Sequence, residues 1–186
     1  MANSKEKLSA ESWILAGFRA LARSGPQALK AEPLAREVGA TKGSFYWHFK
    51  DVPAFHEAML ILWEERAVDD ITHFLDAETD PVRRLYMLGD ISTSTDEEHG
   101  GDAVEPAIRA WAQSNHTVAN AVERVDRKRM EYLSGILSDL GLTNPDFTRM
   151  IYGAYIGMGT LSAKDGADNQ SAMSTLLAAL LALRDA

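Results

Sequence analysis

The chain contains no cysteine. That excludes disulfides, thiolate catalysis and any metal site built on thiolate ligands. No apolar run approaches the roughly 20 residues that a helix needs to span a bilayer, so no membrane partner is expected. The opening residues MANSKEKLSA are polar and lack an apolar signal region, which points to a cytoplasmic protein. No stretch reads as a convincing strand, and there is no internal repeat and no low-complexity segment. The marks of an enzyme are also missing. No Ser-His-Asp grouping, no paired carboxylates in an apolar setting and no glycine-rich phosphate loop is present, and the histidines are scattered at 48, 56, 73, 99 and 116. No cofactor is expected.

What is present is enough for a core. The 186 residues are 46% hydrophobic and 25% charged, sufficient for one or two domains. The net charge is -8, but it is unevenly spread. Residues 1–50 hold eight Lys and Arg against four Asp and Glu, a net of +4; residues 51–186 hold eleven against twenty-three, a net of -12. A local basic patch decides whether phosphates are bound, and the acidic remainder confines such contact to the N-terminal part.

The chain is organised around residues 34–49, LAREVGATKGSFYWHF. Leu34, Ala35 and Val38 lie on one face of a short helix. Gly39 stops it, because glycine enters the left-handed region without steric cost. Thr41 is a good N-cap for a second short helix, in which Phe45 and Phe49 share an inward face. Lys42, Ser44, Trp47 and His48 occupy the opposite face, with Tyr46 beside them. An ordinary pair of core helices does not explain three consecutive aromatics. Neighbours lie about 100° apart on a helix, so at least one must be exposed. An exposed Tyr or Trp beside Lys and His suits a recognition helix in a DNA major groove.

The string ATKGSFYWHFKD resembles the DNA-binding signature of the tetracycline-repressor (TetR-like) family of bacterial transcription regulators. Gly39, Lys42, Gly43, Phe45, Tyr46, Trp47, His48 and Phe49 fill the family's positions. The resemblance is strong over the first sixty or so residues and rests on helix count beyond them. It implies that Thr41, Lys42, Gly43, Ser44, Tyr46, Trp47 and His48 contact bases and phosphates. Two positions depart from the pattern. Lys30 stands where the family usually caps the first helix of the pair with Thr or Ser, and Val52 stands where it often has Lys. Lys30 and Lys50 are the basic residues that could partly replace the phosphate contact so lost.

Around this pair the sequence predicts an all-α chain of about nine helices. A mobile arm with Lys5 and Lys7 precedes a first helix over 10–24, started by Ser9, with a core stripe of Ile14, Phe18, Leu21 and Ala22. The fourth helix reads as unbroken from Asp51 to about Ala77, with Phe55, Met59, Leu62, Trp63, Ile71, Phe74 and Leu75 facing the core. A fifth helix covers Pro81 to Ser94, with Leu85, Leu88 and Ile91 inward. The acidic loop TDEEHGGD, 95–102, reads as solvated rather than metal-binding, because a site needs converging ligands. Further helices are expected over about 103–114, 117–140, 144–162 and 170–184. Residues 1–50 are thus read as a helix-turn-helix domain and 51–186 as a helical domain for effector binding and dimerisation.

Two sets of residues are candidates in the larger part. The last two helices are rich in apolar and small residues over a spread wider than one core stripe needs. Ile151, Tyr155, Met158, Leu176, Leu177, Leu180 and Leu181 are therefore expected at a homodimer interface, which is where the family also dimerises. Met59, Trp63, Tyr86, Trp111, Tyr132 and Tyr152 are expected to line a cavity for a small-molecule effector of unknown class. The reading is a one-component transcriptional regulator, a repressor that binds a palindromic double-stranded operator as a homodimer and is released by its effector. The competing reading is a helical enzyme or ligand-binding protein with a vestigial helix-turn-helix.

Overall fold

Helix boundaries in the computed structural model track the chain's own capping residues. The structure describes residues 8–93 and 103–184. The expected arm through Lys7 and the acidic loop 95–102 lie outside the described residues. Ser9 caps α1 (Ala10–Ser24) by accepting from the Ser12 N–H, and Gly25 ends it at φ 76°. After a 3-10 turn at Pro26–Ala28 come α2 (Ala31–Glu37) and α3 (Lys42–His48). Next are α4 (Val52–Glu64), a π-helical turn (Glu65–Asp69) and α5 (Asp70–Leu75), which together make one helical run. The remaining elements are α6 (Pro81–Thr93), α7 (Val104–Ala112), α8 (His116–Asp139), α9 (Pro145–Asp165) and α10 (Gln170–Arg184). The described residues are all-helical, in nine helical runs and without a strand, and no described helix is long and apolar enough to cross a membrane.

The fourth run is not the unbroken α-helix the sequence suggested. Five residues form a π turn, so the buried face passes from Met59 and Trp63 to Ala67 and Val68 and then to Leu75. The wider turn rotates the residues of α5, and Phe74, expected inside, is exposed. The carbonyl of Ala67, within the turn, accepts from Nε of Arg129 at 3.0 Å.

Residues 8–63 and 103–118 form one compact unit, and 64–93 and 119–184 a second. The first is centred on Trp13, Phe45 and Phe55, all fully buried, with Phe45 stacked edge-on to both of the others. α1 is buried more widely than one stripe: Trp13, Ala16, Gly17 and Ala20 join Ile14, Phe18 and Leu21, while Ala22 is only half-buried. The cause is that α1 packs against α2 and α7 and, at Gly17, against α4. A Cβ on Gly17 would sit 2.7 Å from Phe55 and 2.8 Å from the Met59 sulfur.

The second unit packs α6, α8, α9 and α10 around Leu85, Leu133, Ile136, Leu137, Ile151, Met173, Leu177 and Leu180. On α6 the buried positions are Leu85 and Gly89; Leu88 and Ile91 are only half-buried. Gly89 explains the difference, since its missing side chain lets Leu177 of α10 come within 2.8 Å of where a Cβ would stand. α9 continues to Asp165, three residues past the expected end, because nothing breaks the ladder before Gly166 at φ 67° closes it.

Candidate nucleic-acid interface

The first short helix of the pair ends where the sequence requires. Gly39 adopts φ 65°, and nothing lies within 4 Å of where its Cβ would be, so the turn is chosen by backbone conformation rather than by crowding. Thr41 then caps α3, its Oγ1 accepting from the Ser44 N–H at 3.2 Å. The seven residues of α3 are held by one apolar edge. Phe45 is fully buried, Phe49 just beyond the helix is buried, and both stack on Phe55 at 5.2 and 5.0 Å.

The other side of α3 faces solvent. Trp47 is 77% exposed and Tyr46 46% exposed, although both are large aromatics. Lys42 and Gly43 are exposed beside them; Ser44 and His48 are half-buried. The Trp47 and His48 rings lie 6.5 Å apart. Thr41, Lys30 and Lys50 are exposed as well. All nine residues expected to meet DNA thus lie in one compact unit, on or beside α2 and α3. Chemically, α3 presents a cation, hydroxyl and imidazole groups, an indole and a phenol on a rigid base. Those groups suit hydrogen bonding to base edges, phosphate contact and apolar contact with thymine methyls.

The entry to α2 is built differently. Its N-cap, Lys30, makes no side-chain capping hydrogen bond. Instead, His56 on α4 places Nε2 3.1 Å from the carbonyl oxygen of Leu29. The His56 ring also stands edge-to-face on Trp111 of α7, with centroids 5.0 Å apart. Burial holds its pKa below the ordinary 6.5, outweighing the opposite pull of the Leu29 carbonyl. Sequence reasoning passed over His56; the one available signal was the absence of Ser or Thr at position 30.

The residues expected to line an effector cavity are distributed over the two units. Met59, Trp63 and Trp111 are buried in the first. Tyr86, Tyr132 and Tyr152 are half-buried in the second. There two of the hydroxyls are already engaged: Tyr132 donates to Asp76 at 2.8 Å and Tyr152 to Asp126 at 2.7 Å. Burial first, and then the Asp76 hydrogen bond, push the Tyr132 phenol up to about 12. These contacts belong to a polar seam that the sequence did not reveal. Arg124 pairs with Glu64, Lys128 with Asp69 at 3.3 Å, and Arg129 reaches both Ala67 and the Tyr155 hydroxyl.

Of the residues expected at a dimer interface, Ile151, Leu177 and Leu180 are buried in the chain's own core, which removes them from an outer surface. Tyr155, Met158, Leu176 and Leu181 are half-buried at its edge. The exposed large apolar residues on these helices are Met150, Leu161 and Leu183.

Residues 14–51 match the family model described as bacterial regulatory proteins, tetR family. No curated protein matches in sequence. Among solved structures, the chain is similar to a TetR transcription regulator from Haloarcula marismortui, with 21% identity, 95% of this chain and 96% of that one covered, and a TM-score of 0.74. It is also similar to the fatty acid degradation regulator FadR from Bacillus halodurans, with 18% identity, 97% of each chain covered and a TM-score of 0.72. A third is the multidrug binding protein EbrR complexed with proflavin, with 17% identity, 92% and 99% covered, and a TM-score of 0.56. At these identities the structural likeness is one of fold. The helix-turn-helix segment is thus matched by the tetR-family model, and over its whole length the chain shares the fold of solved TetR-family regulators.

Proposed function

We propose that the chain is a ligand-responsive one-component repressor that binds a palindromic operator as a homodimer. Residues 1–50 act as the DNA-binding domain and 51–186 as the effector-binding and dimerisation domain. The observation that carries the reading is the exposure of Trp47 and Tyr46 on a helix anchored by a buried Phe45. A large aromatic left in water on a rigid element is the mark of a partner surface. Lys30, Lys42 and Lys50 supply phosphate contacts, and Thr41, Gly43, Ser44, Tyr46, Trp47 and His48 the closer ones.

The dimer is supported by α9. Met150, Gly153, Gly157 and Leu161 fall on one face, Met150 and Leu161 exposed, and nothing lies within 4 Å of a Cβ added at either glycine. Such a face admits the close approach of another helix, and a second copy of the chain is the partner that puts two recognition helices on one duplex. Half-sites are then spaced by one helical turn, about 34–36 Å, or a multiple of it. For the effector, the support is that the EbrR structure of the same fold holds proflavin. Met59, Trp63, Tyr86, Trp111, Tyr132 and Tyr152 are the contacts the sequence suggests.

Selection of duplexes from a random-sequence pool, followed by titration of the winner, tests the function. The expected result is a palindrome bound by two protomers and released by some small apolar compound. Recovery of random sequence with no enrichment would remove the regulator reading.

A further inference from the structure

We propose that His56 is the positioning residue that sets the entry of α2, in place of the side-chain cap the helix lacks. This rests on the regulator reading above and adds a residue that does not itself face DNA. Six other helices begin with a side-chain cap close in sequence: Ser9 for α1, Thr41 for α3, Asp51 for α4, Asp80 for α6, Asn115 for α8 and Asn144 for α9. Lys30 has no acceptor to offer, and an uncapped helix start frays readily. The fixed point lies one residue earlier. Leu29 is buried, its N–H donates to the Pro26 carbonyl at 3.1 Å, and its own carbonyl accepts from His56 at 3.1 Å. That tether spans 27 residues, so it orients α2 against α4 rather than merely tidying a turn.

The ring that makes the tether is held in turn. Trp111 of α7 stands against it edge-to-face, which fixes the plane in which Nε2 points. With the Leu29 carbonyl as acceptor, the neutral ring carries its proton on Nε2. The consequence falls on Lys30, exposed and next in sequence, and on the helix that packs against α3. Without the tether, α2 must be ordered when DNA binds, and the cost appears as lost affinity.

Two variants separate this role from simple packing. His56→Phe keeps a ring against Trp111 but has no donor; His56→Gln restores a donor on a side chain of similar reach. Ile14→Val, a core truncation on α1, serves as a destabilised control with the tether intact. The first readout is amide hydrogen exchange at Leu29, Lys30 and Leu34, whose N–H groups bond to Pro26, Ala28 and Lys30. His56→Phe is expected to accelerate these amides, His56→Gln to restore them, and Ile14→Val to leave them near wild type. The second readout is affinity for the duplex that the wild-type protein selects from a random pool. His56→Phe should bind up to about tenfold more weakly, the range one net hydrogen bond supplies, with Gln recovering most of it. Unchanged exchange in His56→Phe, failure of Gln to rescue, or affinity that merely tracks melting temperature across the three variants overturns the proposal. In those cases wild-type binding leaves the regulator reading standing. A wild-type protein that selects no duplex overturns both that reading and the role of His56 in it.

Discussion

Single residues on α3 divide sharply by what they touch. Phe45 is fully enclosed, so Phe45→Ala should cost about 3–5 kcal/mol of unfolding free energy. Trp47, two residues on, is mostly in water, and Trp47→Ala should stay within about 0.5 kcal/mol of wild type. Chemical denaturation of both variants checks the pair, and equal losses would mean that Trp47 packs in solution. His56 gives a pH prediction. Its pKa is lowered by folding, so the neutral ring contributes stability that is complete above its ordinary 6.5. That contribution is lost as the pH falls from 6.5 through the folded value. Wild type should therefore lose stability more steeply than His56→Gln between about pH 7 and 5, and parallel curves would contradict the assignment. The exposed face of α3 was legible in the sequence, because three successive aromatics cannot share one buried edge. His56 was not, because a hydrogen bond spanning 27 residues leaves no periodic trace.

Helix ends were legible wherever a local residue sets them. Ser9 with Gly25 bounded α1, and α10 was read at Gln170–Arg184. The π turn at Glu65–Asp69 was hidden, because Trp63, Ala67, Val68 and Leu75 keep an apolar spacing that an ordinary helix also shows. What distinguishes it is non-local: the guanidinium of Arg129 on the Ala67 carbonyl. Contact between α6 and α10 likewise depends on an absence the sequence displays without explaining. Alanine at Gly89 would push its Cβ to 2.8 Å from Leu177. Gly89→Ala should destabilise by about 1–3 kcal/mol, the usual cost of overpacking. Urea denaturation measures this, and a neutral result would show that α10 can shift aside freely.

At the scale of the molecule, the fold class was readable from helix patterns and the N-terminal motif, and the chain's charge has a functional sense. The +4 segment carries the proposed DNA face, while the -12 remainder repels non-specific duplex. The proposed dimerisation belongs to this scale too. Leucine spacing on α10 suggested an interface, but Leu177 and Leu180 serve the internal core, and burial inside a chain cannot be told from burial between chains by spacing alone. Paired substitution Met150→Glu with Leu161→Glu places charge on the exposed face of α9 and should give a folded monomer by sedimentation. A dimer that survives both changes would put the interface elsewhere.

The central claim is that α3 reads DNA. Its most direct measurement is a titration of the selected duplex at several salt concentrations, with wild type, Lys42→Ala and Trp47→Ala side by side. Wild type should weaken log-linearly with salt, and Lys42→Ala should lower the slope by about 1 per site. Trp47→Ala should lose preference for the selected sequence over random duplex while keeping its melting temperature. Unchanged slope and unchanged preference in these two variants would contradict the account.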